Sequence, residues 1–185
     1  MAKNKAVFGI YSTQAGVENA IGMLRDESFS SSDVAVLLPE SVSNRDLGTV
    51  KATKAPEGAT AGAGSGAVLG GVLGWLAGIG SLAIPGVGPL IAAGPIVAAL
   101  AGAGVGGAVG GLTGALVGMG IPEYEAKRYE GRIAKGGILL SVHCTTSEEI
   151  DRAKKILERT GAEDISTTTE SSAKGTTRTA APGRS

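Results

Sequence analysis

Charge is missing from the middle of this chain. From Gly58 to Pro122, 65 residues pass without one Asp, Glu, Lys or Arg. Aromatic residues are also scarce, at 3% of 185 residues, so the core has to be assembled from aliphatic side chains rather than large rings. The single cysteine, Cys144, excludes an intramolecular disulfide and fits a reducing compartment. The single histidine, His143, precedes it. Neighbours on a strand face opposite ways, so the two do not readily share a ligand, and one chain offers no zinc set and no metal site. Lys and Arg balance Asp and Glu at 17 each, which predicts no nucleic-acid partner. The apolar run Ala6–Tyr11 is too short for a signal-peptide core, so the expectation is a protein that is intracellular or inserted from the cytoplasm.

The usual signatures of catalysis are missing too. No G-K-[ST] follows a glycine cluster, which excludes a P-loop. The run Gly102-Ala-Gly104-Val-Gly106-Gly107 fits a dinucleotide fingerprint in letters only. The surrounding glycine period continues straight through it, and a Pro-initiated helix, not a strand end, falls at Glu123. Asp26, Glu27, Asp33 and Glu40 have no catalytic spacing. We expect a protein that is not an enzyme, with no catalytic residues and no cofactor.

What the chain has is glycine: 31 residues, with two series in which every fourth position is Gly. Gly62, Gly66, Gly70, Gly74 and Gly78 form one; Gly102, Gly106, Gly110, Gly114 and Gly118 form the other. Glycine inside a water-exposed helix costs about 0.8–1 kcal/mol relative to alanine, so ten such positions require compensation. Close helix packing supplies it, since a small-xxx-small stripe lets two backbones approach. The expected structure is a helical hairpin with arms Ala61–Leu82 and Pro95–Met119, turned back by Pro85, Pro89 and Pro95. Each arm is long enough to cross roughly 30 Å of hydrocarbon. The expected setting is the cell membrane, with lipid and other copies of the chain as partners and both termini cytoplasmic. The alternatives are a hairpin packed on its own α/β domain, or one zipped to other copies in a soluble cytoplasmic oligomer.

The flanks read as an α/β domain split in two. Ala6–Tyr11 predicts a strand, Thr13 a helix N-cap, and Val17, Ala20, Ile21 and Leu24 one helical face. Asp33–Leu38 predicts a second strand ended by Pro39, and residues 39–57 a linker with a short edge strand near Thr49–Thr53. After the tract, Pro122 starts a helix that should end at Gly136–Gly137. On that helix Glu123 and Lys127 are spaced for an ion pair. Tyr124, Arg128, Tyr129 and Arg132 suit either a salt-bridged packed helix or an anchor at the membrane interface. Gly137–Cys144 is a strand, and Thr146-Ser147-Glu148-Glu149 a capping box. Glu148 and Arg152 are spaced for a further ion pair. Ile150, Ala153, Ile156 and Leu157 give the next helix an apolar face, and Ala162–Ser166 a last strand. The fold class is α+β, a split ferredoxin-like β-α-β / α-β-α-β domain with an inserted glycine-zipper helical hairpin. Its parts are 1–57, 58–121 (the hairpin) and 122–166, with 167–185 a disordered tail.

The segments TKAPEGATAGAGSGAVLGG, LAIPGVGPLIAAGP and GIPEYEAKRYE together resemble bacterial general stress proteins, induced by heat or low temperature, with a central glycine zipper. The resemblance runs from about Lys54 to Cys144. It implies a stress-associated, often membrane-associated protein with no assigned enzymatic activity, and no catalytic residue carries over. The expected function is a non-enzymatic membrane-associated stress-response protein whose hairpin inserts or oligomerises, and whose cytoplasmic domain binds a protein partner of unknown identity. The alternative is a soluble oligomer with the hairpin as assembly core and the α/β domain as a small-ligand sensor.

Overall fold

A computed structural model describes residues 5–42, 76, 79–84, 87–97 and 111–169. They form a six-stranded, wholly antiparallel sheet between two helical layers, an α+β fold. The strands are β1 (Lys5–Tyr11), β2 (Val34–Pro39), β3 (Ile79–Ile84), β4 (Gly88–Ala93), β5 (Ile138–Cys144) and β6 (Glu163–Thr169). The helices are α1 (Gln14–Asp26), α2 (Gly111–Gly118), α3 (Glu123–Ala134) and α4 (Ser147–Arg159). Across the sheet the order is β3-β4-β2-β5-β1-β6.

The flanking elements form where the sequence places them. Thr13 Oγ1 accepts from Gly16 N, and α1 buries Val17, Ala20, Ile21 and Leu24. Pro122 stands one place earlier than expected, as the N-cap of α3 rather than its first helical residue. Past the end of α3, Gly136 takes φ +98, open to glycine because it has no Cβ. The capping box at α4 is complete in both directions. Thr167–Thr169, expected in the tail, instead continue β6 and pair with Val7, Ala6 and Lys5.

Alternation along the strands supplies two cores. Val7, Tyr11, Val36, Leu38, Leu140 and Val142 face α1 and α4. Ala6, Phe8, Ile10, Ala35, Leu37 and Leu139 face α2 and α3. Both faces of the central strands are buried, which is why β1, β2 and β5 read as continuous apolar runs instead of alternating ones.

The uncharged tract differs most from expectation. Its first arm was to run helically through Leu82, and Pro89 was to lie in a turn. Instead Ile79–Ile84 and Gly88–Ala93 are strands joined across residues 85–87, and Pro89 pairs with Ala83 inside that hairpin. β4 docks on β2, with Leu90 against Pro39 and Ala93 against Val36. The reason is burial: Leu90, Ala92 and Ala93 are 0% exposed there, and a short helix carrying them would still need a partner. Pro89 is tolerated because the β2–β4 ladder starts one residue later.

Leu76 joins the α1/α4 core, and Ile96, Leu112, Ala115 and Leu116 join the other. Pro95 lies in a turn that follows β4, while Pro85 falls outside the described residues. So do Gly62, Gly66, Gly70, Gly74, Gly78, Gly102, Gly106 and Gly110, and the edge strand near Thr49. Gly114 and Gly118 are helical, and a Cβ at Gly118 would meet open space rather than a packed helix. Among the described residues no helix is long and apolar enough to cross a membrane.

Candidate functional site

A dense polar arrangement lies along the seam where α3 meets the edge strand β6. α3 buries Ala126, Tyr129 and Ile133, and its polar flank turns toward β6. There Asp164 adopts φ +50, a left-handed conformation uncommon for a residue with a Cβ. It sits where the β1–β6 register shifts, between the Phe8–Ser166 and Ile10–Glu163 pairs. The bulge turns Asp164 toward the helix, and three α3 residues meet it. Tyr129 Oη donates to its carbonyl at 2.6 Å, Arg128 reaches its Oδ1 at 2.7 Å, and Arg132 lies 3.8 Å from its Oδ2.

Arg132 also pairs with Glu163, whose other oxygen accepts from Ser12 Oγ at 3.0 Å. Tyr129 Oη further shares a hydrogen bond with Ser166 Oγ at 3.0 Å. Its phenol is pushed up to about 12, chiefly by burial, with the bond to Ser166 opposing and the Glu125 and Asp164 charges adding. The Glu163 carboxyl is held below its ordinary range by its bond from Arg132 and then that from Ser12.

One turn before Tyr129, Glu125 Oε1 accepts from Tyr124 Oη at 2.9 Å. Glu125 Oε2 points inward, where it is buried with no hydrogen-bond partner. Thr168, 6% exposed, has a buried and unpartnered Oγ1 as well. Thr168 lies opposite Ala6, and Ser166 opposite Phe8, which puts both on the α3 face of β6. Arg132 meets residues 163 and 164, and Tyr129 meets 164 and 166, so α3 runs antiparallel to β6 along this seam.

The four residues considered for a membrane interface thus have separate fates. Tyr129 is 1% exposed, and Arg128 and Arg132 hold ion pairs to β6. Tyr124 alone of the four is a largely exposed hydrophobic surface, at 66%. Glu123 and Lys127 form the expected ion pair at 2.7 Å. Arg152, spaced for Glu148, instead lies 3.7 Å from Glu27 and over the Phe29 ring.

His143 and Cys144 face opposite sides of the sheet, as adjacent strand residues must. Cys144 is buried, its Sγ 3.6 Å from Val142 O. Among the described residues no cluster of three His, Cys, Asp or Glu is placed to hold a metal ion.

Sequence reasoning missed Asp164, Glu163 and Thr168. The residues around them look like a short polar strand leading into a tail, and the bulge shows only in the φ of Asp164 and the β1–β6 register shift. No protein-family model, curated protein or solved structure matches the chain.

Proposed function

We propose that this chain is a non-enzymatic assembly protein of the stress response. In this reading β2-β5-β1-β6 with α1 and α4 form a ferredoxin-like unit, to which β3–β4 and α2–α3 are additions. The unit serves as a scaffold for two uncharged, glycine-rich segments, 58–75 and 98–110, which pack against their counterparts in neighbouring copies. The stress association rests on the resemblance of the tract and of GIPEYEAKRYE to general stress proteins.

Connectivity is what supports assembly over bilayer crossing. Segment 58–75 is bounded by β2 on one side and by the buried Leu76 and β3 on the other, and both strands belong to one sheet. A single crossing would put two strands of that sheet on opposite sides of a membrane. A two-arm crossing needs a second span of about 20 residues. Segment 98–110 supplies 13, and lengthening it into α2 would pull the fully buried Leu112 and Leu116 out of the domain. Each extraction costs about 1.5–3 kcal/mol.

Light scattering on the detergent-free protein tests this reading. The wild type should form a defined oligomer. Gly70→Leu with Gly110→Leu should dissociate it while leaving far-ultraviolet circular dichroism unchanged. A wild type that is monomeric at all concentrations, or that floats with liposomes and needs detergent, overturns it.

A further inference from the structure

The two edges of the sheet are finished differently. At β6 the strand is bulged at Asp164, carries Glu163 and Asp164, and is met by the paired Arg128 and Arg132. Bulges and charges keep an edge from accepting another strand. β3 has neither: Ile79–Ile84 holds no charge and no proline, and its six pairs with β4 run without a shift in register. Among the described residues β4 is its one neighbour in the sheet.

The register fixes which backbone groups β3 leaves open. His143 N donates to Asp33 O at 2.7 Å, and bonded and non-bonded pairs alternate along an antiparallel ladder. Ala35 and Leu37 therefore turn their amides to β5, while Val36 and Leu38 turn theirs to Ala93 and Ile91 of β4. Pro39, without an N–H, falls opposite Leu90 in a non-bonded position, as this alternation requires. Leu90 and Ala92 then bond Leu82 and Gly80, which leaves the N–H and C=O groups of Ile79, Ser81 and Ala83 on the open side.

We propose that this open side pairs with β3 of a second copy, antiparallel, about a two-fold axis through Ser81. Ile79 of each copy then meets Ala83 of the other, Ser81 meets Ser81, and these bonded pairs supply about six backbone hydrogen bonds. An axis one residue later would set Pro85 opposite Ile79, where no N–H is available. A two-fold pairing brings a strand against itself, so a charged strand would repel its copy. A foreign partner would be selected by charge, and the tract from Gly58 to Pro122 has none. The pairing rests on assembly as the function and names a contact within it. β3 starts just after segment 58–75, so joining the edges brings those segments of two copies together. Backbone bonds alone are few against the entropy of joining two chains, so the edge pair adds to glycine packing and does not replace it.

Amide hydrogen exchange on the full chain, followed over a range of concentrations alongside light scattering, tests the pairing. In the dilute monomer Gly80 and Leu82 should be protected, while Ile79, Ser81 and Ala83 exchange freely. In the assembled protein those three amides should become protected as well. Ser81→Pro removes an outward N–H that β4 does not use. It should leave exchange along β2–β4 unchanged and raise the concentration for half-assembly about tenfold. An oligomer whose Ile79, Ser81 and Ala83 amides still exchange freely overturns the edge pairing and leaves assembly through the glycine segments standing. So does a Ser81→Pro chain that assembles as the wild type does. Protection of the three amides already in the dilute monomer also overturns the pairing, because a segment of the same chain then covers the edge. A chain that stays monomeric at every concentration removes both the pairing and the assembly it rests on.

Discussion

Tyr11 and Tyr129 each anchor a helical layer to the sheet through one hydroxyl. Tyr11 Oη bonds Thr160 Oγ1 at 2.8 Å at the end of α4, and Tyr129 Oη bonds Asp164 and Ser166 beside α3. Both side chains are 1% exposed. Burial is the larger cause that pushes each phenol up to about 12, and the hydroxyl bonds to Thr160 and Ser166 oppose it. An unfolded tyrosine gives up its proton near pH 10, so at higher pH the folded state binds more protons than the unfolded one. The stability from these phenols is complete below about pH 10 and is lost as pH rises through about 12. Urea midpoints across that range should fall steeply for the wild type and far less for Tyr11→Phe with Tyr129→Phe. Equal declines would show that other groups set the alkaline limit. At neutral pH, Tyr129→Phe alone should cost about 1–2 kcal/mol, because it leaves the Asp164 carbonyl without its donor.

At the scale of elements, end signals and pairing partners divide the work. Thr146 Oγ1 accepts from Glu149 N at 3.1 Å, while Glu149 Oε2 accepts from Thr145 N at 2.6 Å and Thr146 N at 3.2 Å. Those bonds, the Thr145 backbone bond first, hold the Glu149 carboxyl below its ordinary range. Thr146→Ala should destabilise by about 1 kcal/mol, measured by urea unfolding. Thr13→Ala, which breaks a longer bond of 3.3 Å at α1, should cost less. Glu149→Ala, which leaves the Thr145 and Thr146 amides without their acceptor, should lower the urea midpoint too, and an unchanged midpoint would mean that the reciprocal Glu149 bonds add nothing.

Such end signals are local chemistry, and they were legible: both N-caps, the glycine past α3 and the apolar faces of α1 and α4 could be placed from the letters. β3 and β4 could not. Ile79–Ile84 and Leu90–Ala93 are short apolar runs of six and four residues, and periodicity alone cannot separate a buried strand from a helical segment at that length. The flanking glycine period argued for helix, and the deciding fact was the unfilled edge of β2, which pairs with β4 across more than fifty residues of sequence. The α3–β6 seam was half legible. Arg128, Tyr129 and Arg132 stood out on their helix, but their partners depend on a bulge with no sequence signature.

For the whole molecule, the issue is whether the uncharged tract is a separate appendage or a working part of the domain. Gly94 decides it, because it joins β4 to the next turn while touching β2. A Cβ there would lie 2.2 Å from Val34 O and 2.8 Å from Ala35 Cα, and the residue holds φ +88. Gly94→Ala therefore combines a backbone clash with left-handed strain, and should cost about 2–4 kcal/mol in all. The loss should be local. Amide hydrogen exchange should accelerate along the β2–β4 ladder, at Val36 to Leu38 and Leu90 to Ala93, as that ladder opens. The β1–β5 ladder, from Lys5–Cys144 to Tyr11–Ile138, should keep its protection because it shares no residue with the clash. Were the tract an independent hairpin, Gly94→Ala would leave exchange in β2 unchanged, and that result would remove β3 and β4 from the domain. Acceleration confined to β2 and β4 would instead show that the sheet itself tethers both glycine segments, which fixes how far apart two copies can stand when those segments meet.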